Sequence, residues 1–292
     1  MRILITGATG MLGSALVELY KNYFTIFTTG SSKSDIFENY MQFDLESESY
    51  KDLINWSNPD VIIHCAAITN GNECKNNPLR AYAINGMSVQ KLINATNDNV
   101  KIIYISTDAV FPNALHLARE SDIVSPESIY GKSKELGEFF LLHSNRIYTI
   151  LRTTIVGLNT LALKSSFVEW IINSVKQEKE ITLFDDVIFT PISIWDLAIE
   201  IKEILTSNDK YGIYHVAGSE ICSKYHFGIT LVNELGLDNK FIKRGSIAEF
   251  SDRANRSGDQ TLSVQKYIND FNRTLPRVNE TINNIKCHYE TN

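Results

Sequence analysis

The chain has 292 residues, 43% of them hydrophobic, enough to bury a sizeable core in one large domain or two closely joined ones. Its 28 basic and 34 acidic residues leave a net charge of −6 with no long run of one sign, which argues against a nucleic-acid surface. No apolar run approaches the ~18 residues of a membrane helix, so no membrane association is expected.

Arg2-Ile3-Leu4-Ile5-Thr6 opens the chain as a short apolar strand, and Gly7-Ala8-Thr9-Gly10-Met11-Leu12-Gly13 follows at once. Ser14 to Tyr20 then reads as an amphipathic helix. A strand, a glycine turn and a helix N-terminus make an anion site, because unpaired N–H groups and the helix dipole face the ligand. Gly7 is expected to make the tight turn, Gly10 to let a pyrophosphate approach the backbone, and Gly13 to let helix and strand pack closely. The spacing is G-x-x-G-x-x-G rather than the usual G-x-G-x-x-G. Met1 leads directly into this strand, so no leader peptide is expected.

Phe24 to Thr29 reads as a second strand, and Asn58-Pro59-Asp60 breaks a helix before the apolar strand Val61 to Ala67. A helix over Leu79 to Asn97 and strands over Lys101 to Thr107 and Tyr148 to Arg152 follow. Apolar strands alternating with helices predict an α/β fold, a Rossmann-type doubly wound parallel sheet whose ligands sit at the strands' carboxyl ends. Beyond Gly157 come a helix (Phe167 to Gln177), a strand near Ile181 to Phe184, a helix (Ile194 to Leu205) and a strand and turn from Tyr211 to Gly218. We therefore expect an NAD(P)-binding domain over residues 1–157 plus about 188–218. A smaller, interleaved C-terminal α/β substrate lobe takes 158–187 and 219–292. Cys65, Cys74, Cys222 and Cys287 lack CxxC spacing and read as reduced thiols of a cytoplasmic protein, with no metal site.

The stretch from Ser125 to Glu138 begins as a turn and continues as a helix. Tyr130 and Lys134 are four apart and share a helix face, whereas Lys132 points elsewhere and reads as a solvated charge. An ammonium beside a phenol is expected to lower the tyrosine pKa toward working pH, as a general acid needs.

These residues together resemble the extended short-chain dehydrogenase/reductase family, and within it the dTDP-4-dehydrorhamnose reductase branch. The branch's S-T-D-x-V-F is matched by Ser106-Thr107-Asp108-Ala109-Val110-Phe111. Its E-x-D…P…Y-G-x-x-K…G-E is matched by Glu120, Asp122, Pro126, Tyr130, Gly131, Lys134, Gly137 and Glu138. Pro191, Asp196-Leu197-Ala198 and Gly212-Ile213-Tyr214-His215 also fall where the branch has similar residues, and the similarity runs from Met1 to about Tyr267.

The resemblance implies that Thr107 hydrogen-bonds the substrate carbonyl, Tyr130 protonates its oxygen, and Lys134 holds the nicotinamide ribose and keeps Tyr130 acidic. It implies that Gly7, Gly10 and Gly13 carry the pyrophosphate, with Thr9, Met11 and Leu12 of the same loop at the cofactor. Asp44 and Leu45 would lie by the adenine, and Ala66, Ala67 and Thr69 would line the cofactor cleft. Asn85, Arg253 and Arg256 would face the substrate. Arg256 takes the place of the Arg of an Arg-Pro pair in which Ser257 replaces the Pro. Ala109 stands where the branch commonly has Tyr, Ile155 where it has Trp, and Asn72 where it has Asp, so the exact sugar stays open.

Cofactor type is read at the end of the second strand. A ribose 2′-hydroxyl wants an acid there, but Gly30, Ser31, Ser32 and Lys33 offer hydroxyls and one cation. That suits a 2′-phosphate, so NADPH is expected, with NADH left open. The expected function is reduction of a nucleotide-linked 4-keto deoxysugar for surface polysaccharide. The alternatives are an epimerase of the same superfamily or a non-catalytic NADP-binding regulatory subunit. Dehydration is disfavoured because Ala109, not a second acid, follows Asp108. The partner is a nucleotide sugar, and a homodimer stays open.

Overall fold

Ile3, Leu4 and Ile5 of the first strand, β1 (Arg2–Thr6), are completely buried, as a parallel sheet covered on both faces requires. The structure, a computed structural model, describes every residue except 47, 114, 160, 162–164, 208, 250–257 and 292. The chain divides into two units. Unit 1 comprises Met1–Val110, Val124–Arg152 and Asp209–Tyr214, and unit 2 comprises Phe111–Ile123, Thr153–Asn208 and His215–Asn292.

In unit 1, β1 is followed by α1 (Met11–Tyr20), β2 (Thr25–Gly30), β3 (Tyr40–Gln42), α2 (Tyr50–Ser57) and β4 (Val61–His64). Then come α3 (Gly71–Asn76), α4 (Pro78–Tyr82), a π-helical turn (Ala83–Met87), α5 (Ser88–Ala95), β5 (Lys101–Ile105), α6 (Ile129–Leu142) and β6 (Tyr148–Arg152). The strands lie in the order β3-β2-β1-β4-β5-β6, with a seventh strand, Gly212–His215, on the β6 edge. The β1–β2, β1–β4, β2–β3, β4–β5 and β5–β6 pairs are all parallel. The order reverses between β1 and β4, and such a switch point opens a ligand crevice at the carboxyl ends. Register places Thr6 opposite both Thr29 and His64 at that edge.

The helix expected over Leu79 to Asn97 is a composite of α4, the π-turn and α5. Single π-turns inside helices commonly mark functional regions. Here the turn carries Asn85, whose amide bonds the backbone after β4. α2 stops where predicted: Asn58 adopts a left-handed cap with φ 38°, and Pro59 follows.

Unit 2 holds β7 (Ile155–Val156), α7 (Phe167–Lys176), β8 (Ile181–Phe184), β9 (Ile188–Phe189), β10 (Ile192–Ser193) and α8 (Ile194–Thr206). With the seventh strand counted as β11, there follow β12 (Cys222–Ser223), α9 (Lys224–Glu234), β13 (Ile242–Gly245), β14 (Asp259–Gln260), α10 (Gln265–Phe271) and α11 (Val278–Thr291). Ile171, Phe189, Phe227, Leu231 and Ile282 are part of its core. Ser166 and Glu169 close a reciprocal capping box at the start of α7.

The units differ from the expected boundaries. Residues 188–207 group with unit 2, because β9 pairs with β12 and β14 and β10 pairs with β7. Glu200 of α8 is also bound by Arg273 and Tyr267. Only 209–214 join the large sheet's unit. No helix among the described residues is long and apolar enough to cross a membrane.

Candidate active site

The glycine loop is dictated by close contacts. Gly7 has φ +69°, and a Cβ there would lie 2.7 Å from Ala66 Cα, two residues beyond β4. A Cβ on Gly13 would fall 2.2 Å from the Gly7 carbonyl oxygen. A Cβ on Gly10 would meet only that same oxygen, at 3.2 Å, so packing alone does not demand glycine at this position. Gly10 is the N-cap of α1 and has no side-chain cap, which leaves first-turn N–H groups to seek acceptors outside the helix. This uncapped helix start beside an open cradle fits a dinucleotide pyrophosphate.

The loop is pinned to β2 by the Ala8 N–H donating to Thr29 O at 3.0 Å. Gly30 lets Thr9 and Tyr40 close around it, since a Cβ would stand 3.1 Å from Thr9 Oγ1 and 2.9 Å from the Tyr40 hydroxyl. Ser31, Ser32 and Lys33 are exposed. Their loop is tied down through its carbonyls, which accept from Gln42 Nε2 (3.0 Å, on Ser31) and from the Tyr40 hydroxyl (on Ser32). Asp44 is exposed and its Oδ1 accepts from Glu46 N at 2.9 Å. Leu45 instead packs in the core with Phe43, Tyr50 and Leu53. Ala66 and Ala67 are half-buried and Thr69 is exposed.

α6 starts at an N-cap, Ser128, whose hydroxyl accepts from Gly131 N at 3.0 Å. A Cβ on Gly131 would stand 2.1 Å from the Ala109 carbonyl, so this glycine lets α6 close against the short 3₁₀ turn after β5. That contact places Tyr130 near enough to Thr107 for the threonine hydroxyl to act on its ionisation. Thr107 Oγ1 donates to Asp108 Oδ1 at 2.7 Å and accepts from Ala109 N at 3.2 Å.

The ionisation of Tyr130 corrects the expectation. Burial pushes its pKa well above the ordinary value, Thr107 pulls it back by hydrogen bonding, and Asp108 and Cys74 push further up. Desolvation of the phenolate outweighs the stabilisation expected from a neighbouring ammonium. Tyr130 therefore holds its proton at neutral pH. Lys134 is 2% exposed whereas Lys132 is exposed, so the two lysines do lie on different faces. Burial draws Lys134 down to about 7, opposed by Glu138 and Cys65.

Two buried polar systems escaped the sequence reading. His64 is fully buried, with Nδ1 2.7 Å from Thr6 Oγ1 and Nε2 3.0 Å from Ser88 Oγ. Ser88 donates its own proton to Ile84 O at 2.6 Å, so it accepts from His64 Nε2–H, and Nδ1 accepts from Thr6. Thr6 Oγ1 in turn accepts from Ala66 N at 3.3 Å, which ties this chain to the crevice wall. The second system joins Ser106, Glu138 and Arg152. A histidine inside an apolar strand was the available signal, since buried polar groups require partners.

Asn85 is completely buried. Its Oδ1 accepts from Ile68 N at 2.7 Å and its Nδ2 donates to Ile68 O and Ser133 Oγ, both at 2.9 Å. The Asn85 amide thus anchors the segment after β4, and the Leu45 side chain packs in the core. Arg253 and Arg256 lie outside the described residues. Among the described residues no group of three or more His, Cys, Asp or Glu could hold a metal ion.

A parallel sheet in this strand order, with a glycine loop at its switch point and a Thr-Tyr-Lys group on the next strand and helix, defines a dinucleotide-dependent α/β oxidoreductase. The chain belongs to the family described as RmlD substrate binding domain, which matches residues 1–290. It is 30% identical over 304 residues to a dTDP-4-dehydrorhamnose reductase of Aggregatibacter actinomycetemcomitans, covering 99% of each chain. It is 29% identical over 264 residues to the spore coat polysaccharide biosynthesis protein SpsK of Bacillus subtilis (strain 168), covering 90% of this chain and 89% of SpsK. A crystal structure of dTDP-4-dehydrorhamnose reductase from Bacillus anthracis str. Ames in complex with NADP superposes with a TM-score of 0.86. It is 27% identical, with 98% of this chain and 99% of that one covered.

Proposed function

We propose that the protein is an NADPH-dependent reductase of a nucleotide-linked 4-keto deoxysugar that serves surface polysaccharide synthesis. The observation that carries this reading is the close packing of the start of α6, with Tyr130, against the turn after β5 that carries Thr107, where Gly131 meets the Ala109 carbonyl, with buried Lys134 one helical turn further along α6. The names of the dTDP-4-dehydrorhamnose reductases and of SpsK support the substrate class and the setting. NADP in the Bacillus anthracis structure supports the choice of cofactor. On this reading unit 1 binds the cofactor, and Arg256 or Arg253 holds the diphosphate of the sugar nucleotide.

A bound nicotinamide cofactor would supply the hydride to the carbonyl carbon. The Gly7–Gly13 loop would hold the pyrophosphate at the start of α1, and exposed Ser31, Ser32 and Lys33 would receive the 2′-phosphate. Thr107 orients the carbonyl oxygen. Tyr130, kept protonated by its burial, gives that oxygen its phenolic proton and the ketone becomes an alcohol. Lys134 would steady the ribose and the tyrosinate left after proton transfer.

NADPH oxidation against a panel of nucleoside diphosphate 4-ketosugars tests the reading. Turnover with at least one is expected. No oxidation with any of them, together with cofactor that survives gel filtration, would favour an epimerase that retains its nicotinamide.

A further inference from the structure

Glu138 and Arg152 are 2% and 1% exposed. Arg152 Nε reaches both Glu138 oxygens, at 3.1 and 3.2 Å, and Nη2 reaches Oε2 at 2.7 Å. Ser106 Oγ donates to the same carboxylate. A fully buried ion pair seldom adds stability over an apolar pair of similar size, so packing alone gives no reason for charge here. Its location does. Ser106 directly precedes Thr107, its N–H donates to Leu151 O at 2.7 Å, and Glu138 lies one helical turn beyond Lys134.

We propose that Glu138 is a positioning residue: its carboxylate, clamped by Arg152, fixes the strand end that carries Thr107 and supplies the counter-charge for Lys134. The inference rests on the reductase reading for what Thr107 and Lys134 do. Among the described residues, the groups that act on Lys134 are the Tyr104 ring from β5, His64 from β4, Cys65 just beyond it and Glu138 from its own helix, whose carboxylate Arg152 of β6 also holds. His64 is held neutral by a pKa brought down to about 3, and Cys65 stays a thiol because burial pushes it up to about 12. Glu138 is the one carboxylate of the set. It opposes the burial that draws Lys134 down to about 7.

Three variants separate positioning from simple stabilisation. Glu138→Gln leaves Arg152 buried without its counter-ion and lowers the melting temperature. The double variant Glu138→Gln/Arg152→Gln removes both charges and recovers most of that loss. Its kcat is nevertheless expected to stay about 10- to 100-fold low, since a misplaced catalytic group costs that order. In Glu138→Gln itself NADPH affinity, followed by fluorescence titration against pH, should decline at a pH about one unit lower than in wild type, because Lys134 loses its anion while Arg152 keeps its charge. Ser106→Ala keeps both charges; it should lower kcat and leave the pH of that decline unmoved. Recovery of kcat together with melting temperature in the double variant, or an unmoved decline, would overturn the proposal. Binding needs no ketosugar: a protein inactive on every ketosugar but showing the shifted decline loses the reductase reading and keeps Glu138 as the partner of Lys134.

Discussion

Lys134 Nζ stands 4.0 Å above the centre of the Tyr104 ring, and the Tyr104 hydroxyl donates to the Lys134 carbonyl at 3.2 Å. The aromatic ring thus supports the same lysine at its ammonium and at its backbone, with a desolvated cation–π contact of about 2 kcal/mol. It also holds Asn85 of the π-turn, through a 2.8 Å bond to its carbonyl. The lysine is therefore held in place by β5 before any ligand arrives.

That placement makes the two neighbouring lysines a test of mechanism. Lys134→Ala should weaken NADPH binding and turnover together, whereas exposed Lys132→Ala should be nearly silent. Tyr130→Phe should lower kcat by about 10²- to 10⁴-fold, the usual worth of a positioned general acid, with NADPH affinity little changed. Stopped-flow hydride transfer and cofactor titration on the three variants check this. Near-wild-type turnover in Tyr130→Phe would remove Tyr130 as the proton donor.

Gly10 and Gly13 should respond differently to the same small change. Gly13→Ala drives a methyl into the Gly7 carbonyl and should cost about 1–3 kcal/mol of stability through overpacking. Gly10→Ala meets one atom at 3.2 Å and should melt close to wild type. It should nonetheless bind NADPH at least about tenfold more weakly, because its methyl occupies space that backbone N–H donors need to reach a phosphate. Thermal unfolding with and without NADPH measures both effects. Unchanged affinity in Gly10→Ala would remove the pyrophosphate from this loop.

Exposed Ser31, Ser32 and Lys33, with no acid at the end of β2, predict tighter binding of NADPH than of NADH. Lys33→Glu should weaken NADPH by about tenfold at low ionic strength and by less in added salt, since an exposed charge is screened. Titration calorimetry with both cofactors gives the answer, and equal affinities in the wild type would contradict it.

His64 predicts an acid-side loss of stability. Burial, with Lys134 adding to it, brings its folded-state pKa down to about 3, while the unfolded chain takes up a proton near the ordinary value of about 6.5. The unfolded state binds more protons between these values, so stability falls as pH drops through that window. The loss from this group is about 2 kcal/mol by pH ~5. His64→Gln should be less stable at neutral pH but should lose less on acidification. Urea unfolding at several pH values measures the difference, and an equal acid slope in the variant would count against a buried neutral His64.

Much of unit 1 was legible in the sequence because its signals are local. Apolar strands, the glycine spacing and the i, i+4 relation of Tyr130 and Lys134 each follow from backbone geometry within a few residues. Unit 2 was less so: β9, β10, β12 and β14 are two residues each, too short to carry a period, and only their pairing with distant segments makes them strands.

The sequence by itself determined the class of sheet, the phosphate loop and which lysine shares a face with Tyr130, since hydrophobic period and glycine sterics act along the chain. Tertiary structure alone decided that Tyr130 holds its proton tightly and that Asn85 faces inward. It also decided that Glu138 meets Ser106 and Arg152 on one carboxylate. These depend on desolvation and on hydrogen bonds between residues 14 to 32 positions apart, which no spacing along the chain encodes.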